Sequence, residues 1–243
     1  QKNRKTLIID MDPQGNATRV LAKTGNIQII EGSITQGFEE ADLRPYIINV
    51  RENLDLIGAN TTFRNLPKIL MHKFPEDDDK QVFYMNELIK PLKERYDAIY
   101  IDVPPTISDY SDNAMLAADY CIVVLQTQEL SLDGVKTYIG YMQYIVDRYA
   151  TDIQVLGIVP MMLRPGGRVD EKVLNEAKEL YGGNVLENII RYQGRLKVYD
   201  VEGIAWWPEN PSTDNWDRKA HETFIDILNE LDEHEELLSG YKE

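Results

Sequence analysis

A single cysteine in 243 residues excludes an internal disulfide. Cys121 sits inside the apolar run Tyr120–Leu125, which reads as a buried structural thiol in a reducing cytoplasm. No apolar run approaches the ~18 residues of a spanning helix. No signal-peptide pattern opens the chain. Positive charge is scarce: 26 Lys and Arg face 41 Asp and Glu, for a net charge of -15. That excludes a globally basic nucleic-acid binder and leaves any DNA contact to a local patch. The three histidines, His72, His221 and His234, lack ligand spacing, so no zinc site is expected. No Ser-His-Asp arrangement is legible. No glycine-rich phosphate loop is present either, because Gly166-Gly-Arg168 and Gly182-Gly183 lack a following Lys-Ser/Thr.

What is present is alternation. Short apolar runs predict strands at Lys5–Asp10, Leu54–Ile57, Ala98–Asp102, Cys121–Leu125, Val155–Val159 and Val185–Ile190. Most are apolar on both faces, as in a parallel sheet covered by helices. Helical patterns lie near Gly15–Leu21, Thr62–Met71, Lys80–Glu94, Asp112–Ala118, Leu132–Arg148, Asp170–Tyr181 and Asn215–Leu238. The order predicts an α/β fold with a doubly wound, mostly parallel sheet. Phe74–Asp79, Arg164–Gly167 and Trp207–Asp214 read as loops. None resembles an interdomain linker, so residues 1–243 read as one domain.

Two segments carry chemistry. Lys5-Thr-Leu-Ile-Ile-Asp-Met-Asp-Pro-Gln-Gly-Asn-Ala-Thr18 ends an apolar strand in Asp10 and Asp12, then turns into a helix. Tyr96-Asp-Ala-Ile-Tyr-Ile-Asp-Val-Pro-Pro-Thr106 ends a second strand in Asp102, where the double proline stops it. Carboxylates at the C-terminal edge of an open α/β sheet suit a nucleotide–Mg²⁺ site. Residues two apart on a strand face opposite ways. Asp10 and Asp12 therefore share a site only if the strand ends between them, which Pro13 allows. The alternative is that Asp12 caps the following helix.

Together, Ile8-Ile-Asp-Met-Asp-Pro-Gln-Gly-Asn16 and Tyr100-Ile-Asp-Val-Pro-Pro105 resemble the ParA family of deviant Walker partition ATPases, relatives of the MinD proteins. Asn113-Ala-Met-Leu-Ala-Ala-Asp119 and the strand Cys121–Leu125 extend the similarity, which weakens after about Val159. The resemblance implies ATP/ADP and Mg²⁺ as cofactors. It gives Asp12 the attacking water, Asp10 a supporting place at the metal and Asp102 the Walker B carboxylate. Pro13, Gln14, Gly15 and Asn16 would sense the γ-phosphate. Pro160, Met161 and Met162 stand where the family places its adenine contacts, and core packing is the other reading of the methionines. The implied partners are a centromere-binding ParB-like protein, non-specific DNA and a second copy in an ATP-dependent homodimer. A cytoplasmic, nucleoid-associated protein without a membrane follows.

DNA contact by region falls on Arg164, Arg168, Lys172, Arg191, Arg195 and Lys197, which otherwise read as ordinary solvated charge. Trp206-Trp207-Pro208 either stacks on a partner or packs near the last helix. The family's Lys-Gly-Gly-Val-Gly-Lys-Thr-Thr loop is absent, so the sequence reads as an N-terminally truncated ATPase. The missing part would supply a central strand, and without it the chain is expected to bind ATP poorly. Two rivals remain. One is a non-catalytic interaction module. The other is a MinD-like positioning ATPase, disfavoured by an acidic last helix where a membrane-binding helix is basic.

Overall fold

The computed structural model describes residues 3–126, 129–163, 167–205 and 215–240. They form two compact units. One comprises Gln1–Ala118 with Val198–Ile204, the other Asp119–Lys197 with Ala205–Glu243.

The first unit opens with strand β1 (Thr6–Asp10), whose β-branched and aliphatic residues favour an extended, buried segment. Helix α1 (Asn16–Thr24) follows, then α2 (Ile34–Glu40). Strands β2 (Ile47–Arg51) and β3 (Leu54–Ile57) form an antiparallel hairpin. Its turn places Asn53 at φ 58, a left-handed conformation that asparagine tolerates. Helices α3 (Leu66–Lys73), α4 (Asp78–Val82) and α5 (Tyr84–Lys93) lead to strand β4 (Ala98–Asp102) and helix α6 (Asp109–Ala117). The sheet order is β2-β3-β1-β4, with β1 parallel to both neighbours. Leu7, Ile9, Phe38, Phe63, Leu70, Met85 and Leu92 fill its core. Phe63 sits edge-to-face against both Phe38 and Tyr110, the favoured aromatic geometry.

The second unit holds β5 (Tyr120–Gln126), α7 (Glu129–Tyr149), β6 (Gln154–Leu163), α8 (Arg168–Tyr181), β7 (Ile190–Arg191) and α10 (Asn215–Gly240). Between β7 and α10 lies α9 (Gly194–Glu202), which continues into the first unit's segment. Its three strands run parallel in the order β5-β6-β7. One apolar cluster joins Val123, Leu125 and Ile158 to Leu132 and Val135 of α7 and to Val173 and Ala177 of α8. The other joins Leu156, Val159 and Ile190 to Ile227 and Leu231 of α10. The sheet is therefore covered on both faces, as its two-sided apolar strands require. Cys121 packs against the first cluster, and burial pushes its thiol up to about 11, which makes it inert.

Three elements escaped the sequence reading. β2, with its Asn49 and Arg51, is too mixed in polarity to show a strand pattern. α2 is short, and its helix shows in the Ser33 cap rather than in an apolar stripe. α9 has no clear amphipathic face. The strand expected over Val185–Ile190 shrinks to Ile190–Arg191 plus one bridge between Val185 and Ile158. A 3-10 turn at Gly182–Asn184 and the Glu230 carboxylate take its amides instead, Glu230 accepting from the N–H groups of Glu187 and Asn188.

β4 and β5 each end their own sheet, and among the described residues no strand pairs the outer edge of either. Both are composed like interior strands, yet Tyr100 and Val124 are exposed on them.

Candidate functional site

β1 and β4 end side by side: Asp10 and Asp102 are register partners at the C-terminal edge of the sheet. The strand stops at Asp10, so the carboxylates of Asp10 and Asp12 come to one site, as Pro13 allows. The backbone N–H of Met11 donates to the Asp102 carbonyl at 2.7 Å, and the chain then turns.

Asp10 is fully buried. Its Oδ1 accepts from the Asp12 N–H at 3.0 Å. Its Oδ2 accepts from the Thr18 N–H at 2.8 Å and from the Thr18 hydroxyl at 2.7 Å. Thr18 is the third residue of α1, so Asp10 satisfies one of the orphan amides at the helix start. The helix cap offered as an alternative role for Asp12 thus belongs to Asp10. Each Asp10 oxygen thus accepts from a protein donor, which ties the turn after β1 to the start of α1. A carboxylate so far ahead of the helix carries no local capping signature, which is why the sequence did not show this role.

Asp12 is half-buried. Its Oδ1 accepts from the Gln14 N–H at 2.8 Å, and its carbonyl accepts from the Gly15 N–H at 2.8 Å. This Asx-type turn leaves Oδ2 as the oxygen available for chemistry. Gly15 holds φ 62, and a Cβ there would lie 2.8 Å from the Ala59 carbonyl, so only glycine fits. Gln14 and Asn16 are exposed on the turn, and the Asn16 side chain accepts from Arg19.

Asp102 is open to solvent on its outer side. Partial burial, then the charges of Asp10 and Asp12, push its carboxyl from 3.8 up to about 6. The direction fixes a stability prediction. The folded chain holds this proton more tightly than the unfolded chain, so stability falls as pH rises from about 4 to about 6 and the deficit persists above that. Asp102→Asn should raise the melting temperature by about 2–4 °C at pH 8 and leave it unchanged at pH 4. Equal shifts at both pH values in thermal melts would show that repulsion is not the cause.

The three carboxylates form an over-charged edge that a divalent cation would relieve. Among the described residues no three acidic, His or Cys side chains are placed to hold an ion alone. Asp102 with water and phosphate oxygens matches the habit of Mg²⁺, which keeps much of its hydration.

The remaining site residues scatter. Pro160 is buried on β6, in register with Leu125. Met161 packs against the α10-side cluster of the second unit, and Met162 adopts φ 66 at an irregularity between β6 and β7. Arg168 and Lys172 are exposed one turn apart on α8, alternating with Glu171, Glu176 and Glu179. Arg191 is exposed, and the Lys197 ammonium lies 5.3 Å from the Tyr192 ring centre. Arg195 is different: its guanidinium makes a two-pronged contact with Asp217, whose side chain is 2% exposed. Arg164 and the Trp206-Trp207 pair lie outside the described residues.

A mostly parallel sheet flanked by helices, with carboxylates gathered beyond its strand ends, defines a P-loop NTPase-like α/β protein. The AAA domain family model matches residues 1–155. The chain belongs to this family, in its ParA branch. The chromosome partitioning protein ParA of Myxococcus xanthus is 28% identical over 201 residues, spanning 79% of this chain and 66% of that protein. The sporulation initiation inhibitor protein Soj of Bacillus subtilis is 25% identical over 231 residues, spanning 94% and 86%. In structure, the plasmid partition protein of Borrelia burgdorferi bound to AMPPNP superposes with a TM-score of 0.73 at 20% identity, covering 94% of this chain and 88% of that one. Among the described residues no helix is long and apolar enough to cross a membrane.

Proposed function

We propose that this chain is the motor of a plasmid partition system, hydrolysing ATP with Mg²⁺ to switch a DNA-binding dimer. The carrying observation is that Asp10 and Asp102 end neighbouring strands in register, with Asp12 two residues on and close enough for its charge to act on Asp102. Phosphoryl transfer asks for positioning and charge neutralisation more than for covalent chemistry. Mg²⁺ would neutralise phosphate charge there. Asp102 would hold the ion through water, and Asp12 would orient the attacking water with its open oxygen. Asp10 acts behind them, as an anchor of the turn. The turn residues Gln14, Gly15 and Asn16 would meet the γ-phosphate.

The phosphate cradle is assigned to a segment outside this sequence. The outer edge of β4 supports that assignment, since its composition is that of an interior strand. Adenine is assigned to the strand end at Pro160, Met161 and Met162, with Met161 the member already packed. DNA phosphates would be met by Arg168, Lys172, Arg191 and Lys197, with Arg164 beside them in sequence. A centromere-binding protein would stimulate hydrolysis and couple it to plasmid movement.

The test is ATP turnover by the full-length protein with and without Mg²⁺, with DNA and the protein encoded beside it added in turn. Mg²⁺-dependent hydrolysis that rises on adding both is expected. A full-length protein that neither binds nor hydrolyses ATP, and whose sequence ahead of Gln1 holds no Lys-Gly-Gly-x-Gly-Lys-Ser/Thr, is an interaction module instead.

A further inference from the structure

Thr18 lies eight residues after Asp10 on the first turn of α1, and it is buried. A threonine hydroxyl has one proton to donate and lone pairs to accept with. Here the proton goes to Asp10 Oδ2 at 2.7 Å, and the oxygen accepts from the Ala59 N–H at 2.8 Å. Thr18 therefore joins two loops at the C-terminal edge of the sheet. One is the turn after β1, which carries Asp12. The other is the loop after β3.

The two loops touch at a second place. The Ala59 carbonyl packs so closely on Gly15 that a Cβ there would lie 2.8 Å away. The Thr18 methyl lies 3.0 Å from where a Cβ on Gly58 would stand, so Gly58 makes room for the threonine. Beyond them, the Gly58 carbonyl accepts from the Ile34 N–H at 2.8 Å, and the Thr62 and Thr35 hydroxyls meet at 2.8 Å. The second loop is thus fastened to the start of α2.

We propose that Thr18 is a positioning residue for ATP hydrolysis. Its hydroxyl fixes the Asp10 carboxylate, Asp10 fixes the Asp12 N–H, and the Asp12 side chain is thereby aimed. This inference rests on the hydrolytic reading above. The structure adds that this hydroxyl is buried and joins Asp10 on one side to the Ala59 N–H on the other. Small misplacements of a catalytic group cost rate far more than they cost binding.

The experiment compares Thr18→Val and Thr18→Ser in the full-length protein. Valine keeps the shape and removes the hydroxyl, and serine keeps the hydroxyl and removes the methyl. Thr18→Val should lower kcat by about tenfold or more, the worth of one hydrogen bond to a buried charge, with KM for ATP within about threefold of wild type. Thr18→Ser should return most of that kcat. Hydrogen exchange at the Ala59 amide should quicken in the valine variant and stay slow in the serine variant. An active wild type with an equally active Thr18→Val variant overturns the positioning role and leaves the hydrolytic reading intact. So does a valine variant whose loss in kcat is matched by loss of ATP binding and of melting temperature, since that is a structural defect. A wild type with no turnover overturns the hydrolytic reading and this inference with it.

Discussion

Asp12→Ala should lower ATP turnover of the full-length protein by about 10²-fold or more while leaving its affinity for Mg²⁺–ATP within a few-fold of wild type. The magnitude is that of removing a group that positions or deprotonates the attacking water. The split between rate and binding follows from the geometry. Asp12 spends one oxygen on the Gln14 N–H, and its backbone is held independently by Asp10 and by the Gly15 N–H. Removing the side chain therefore costs the turn one local hydrogen bond and leaves its anchors in place. Asp10→Ala offers the contrast. It strips acceptors from the Asp12 amide, the Thr18 amide and the Thr18 hydroxyl at a fully buried position, so it should lose folding as well as rate. Single-turnover and equilibrium binding measurements separate the two. Should Asp12→Ala abolish ATP binding and keep the residual rate per bound nucleotide, Asp12 holds the ligand and is not the water-directing group.

Asp10 and Asp12 show what a sequence can disclose about a site. Their residue types, their spacing and the proline after them were enough to place two carboxylates at one strand end. What holds Asp10 was not legible, because that depends on Thr18 and, through it, Ala59, residues eight and forty-nine positions away from Asp10. The apolar strands β1, β3 and β4 were legible for a related reason. A strand covered on both faces must be apolar throughout, so its sequence alone marks it. β2 mixes Asn49 and Arg51 with its apolar residues, and it left no pattern. The basic residues were the least legible of all. A charged side chain looks the same in sequence whether it faces water, a nucleic acid or a buried carboxylate.

Arg195 tests that last distinction. If its pairing with Asp217 governs, Arg195→Ala should destabilise the protein by about 3–5 kcal/mol, the usual cost of removing one member of a buried ion pair. The argument turns on Asp217, which is 2% exposed and sits in the first turn of α10. The helix start favours its negative charge, and losing the two-pronged guanidinium takes a directly bonded cation from that buried carboxylate. Arg195→Met with Asp217→Leu should recover most of the loss, because it removes both charges and keeps apolar volume. Arg191→Ala, at an exposed site four residues away, should change stability by less than about 0.5 kcal/mol and weaken DNA binding in low salt. Denaturant titrations of the three variants, paired with DNA binding over a salt series, read out both effects. An Arg195→Ala protein as stable as wild type but with a shallower salt dependence would make Arg195 a phosphate contact and Asp217 its resting partner.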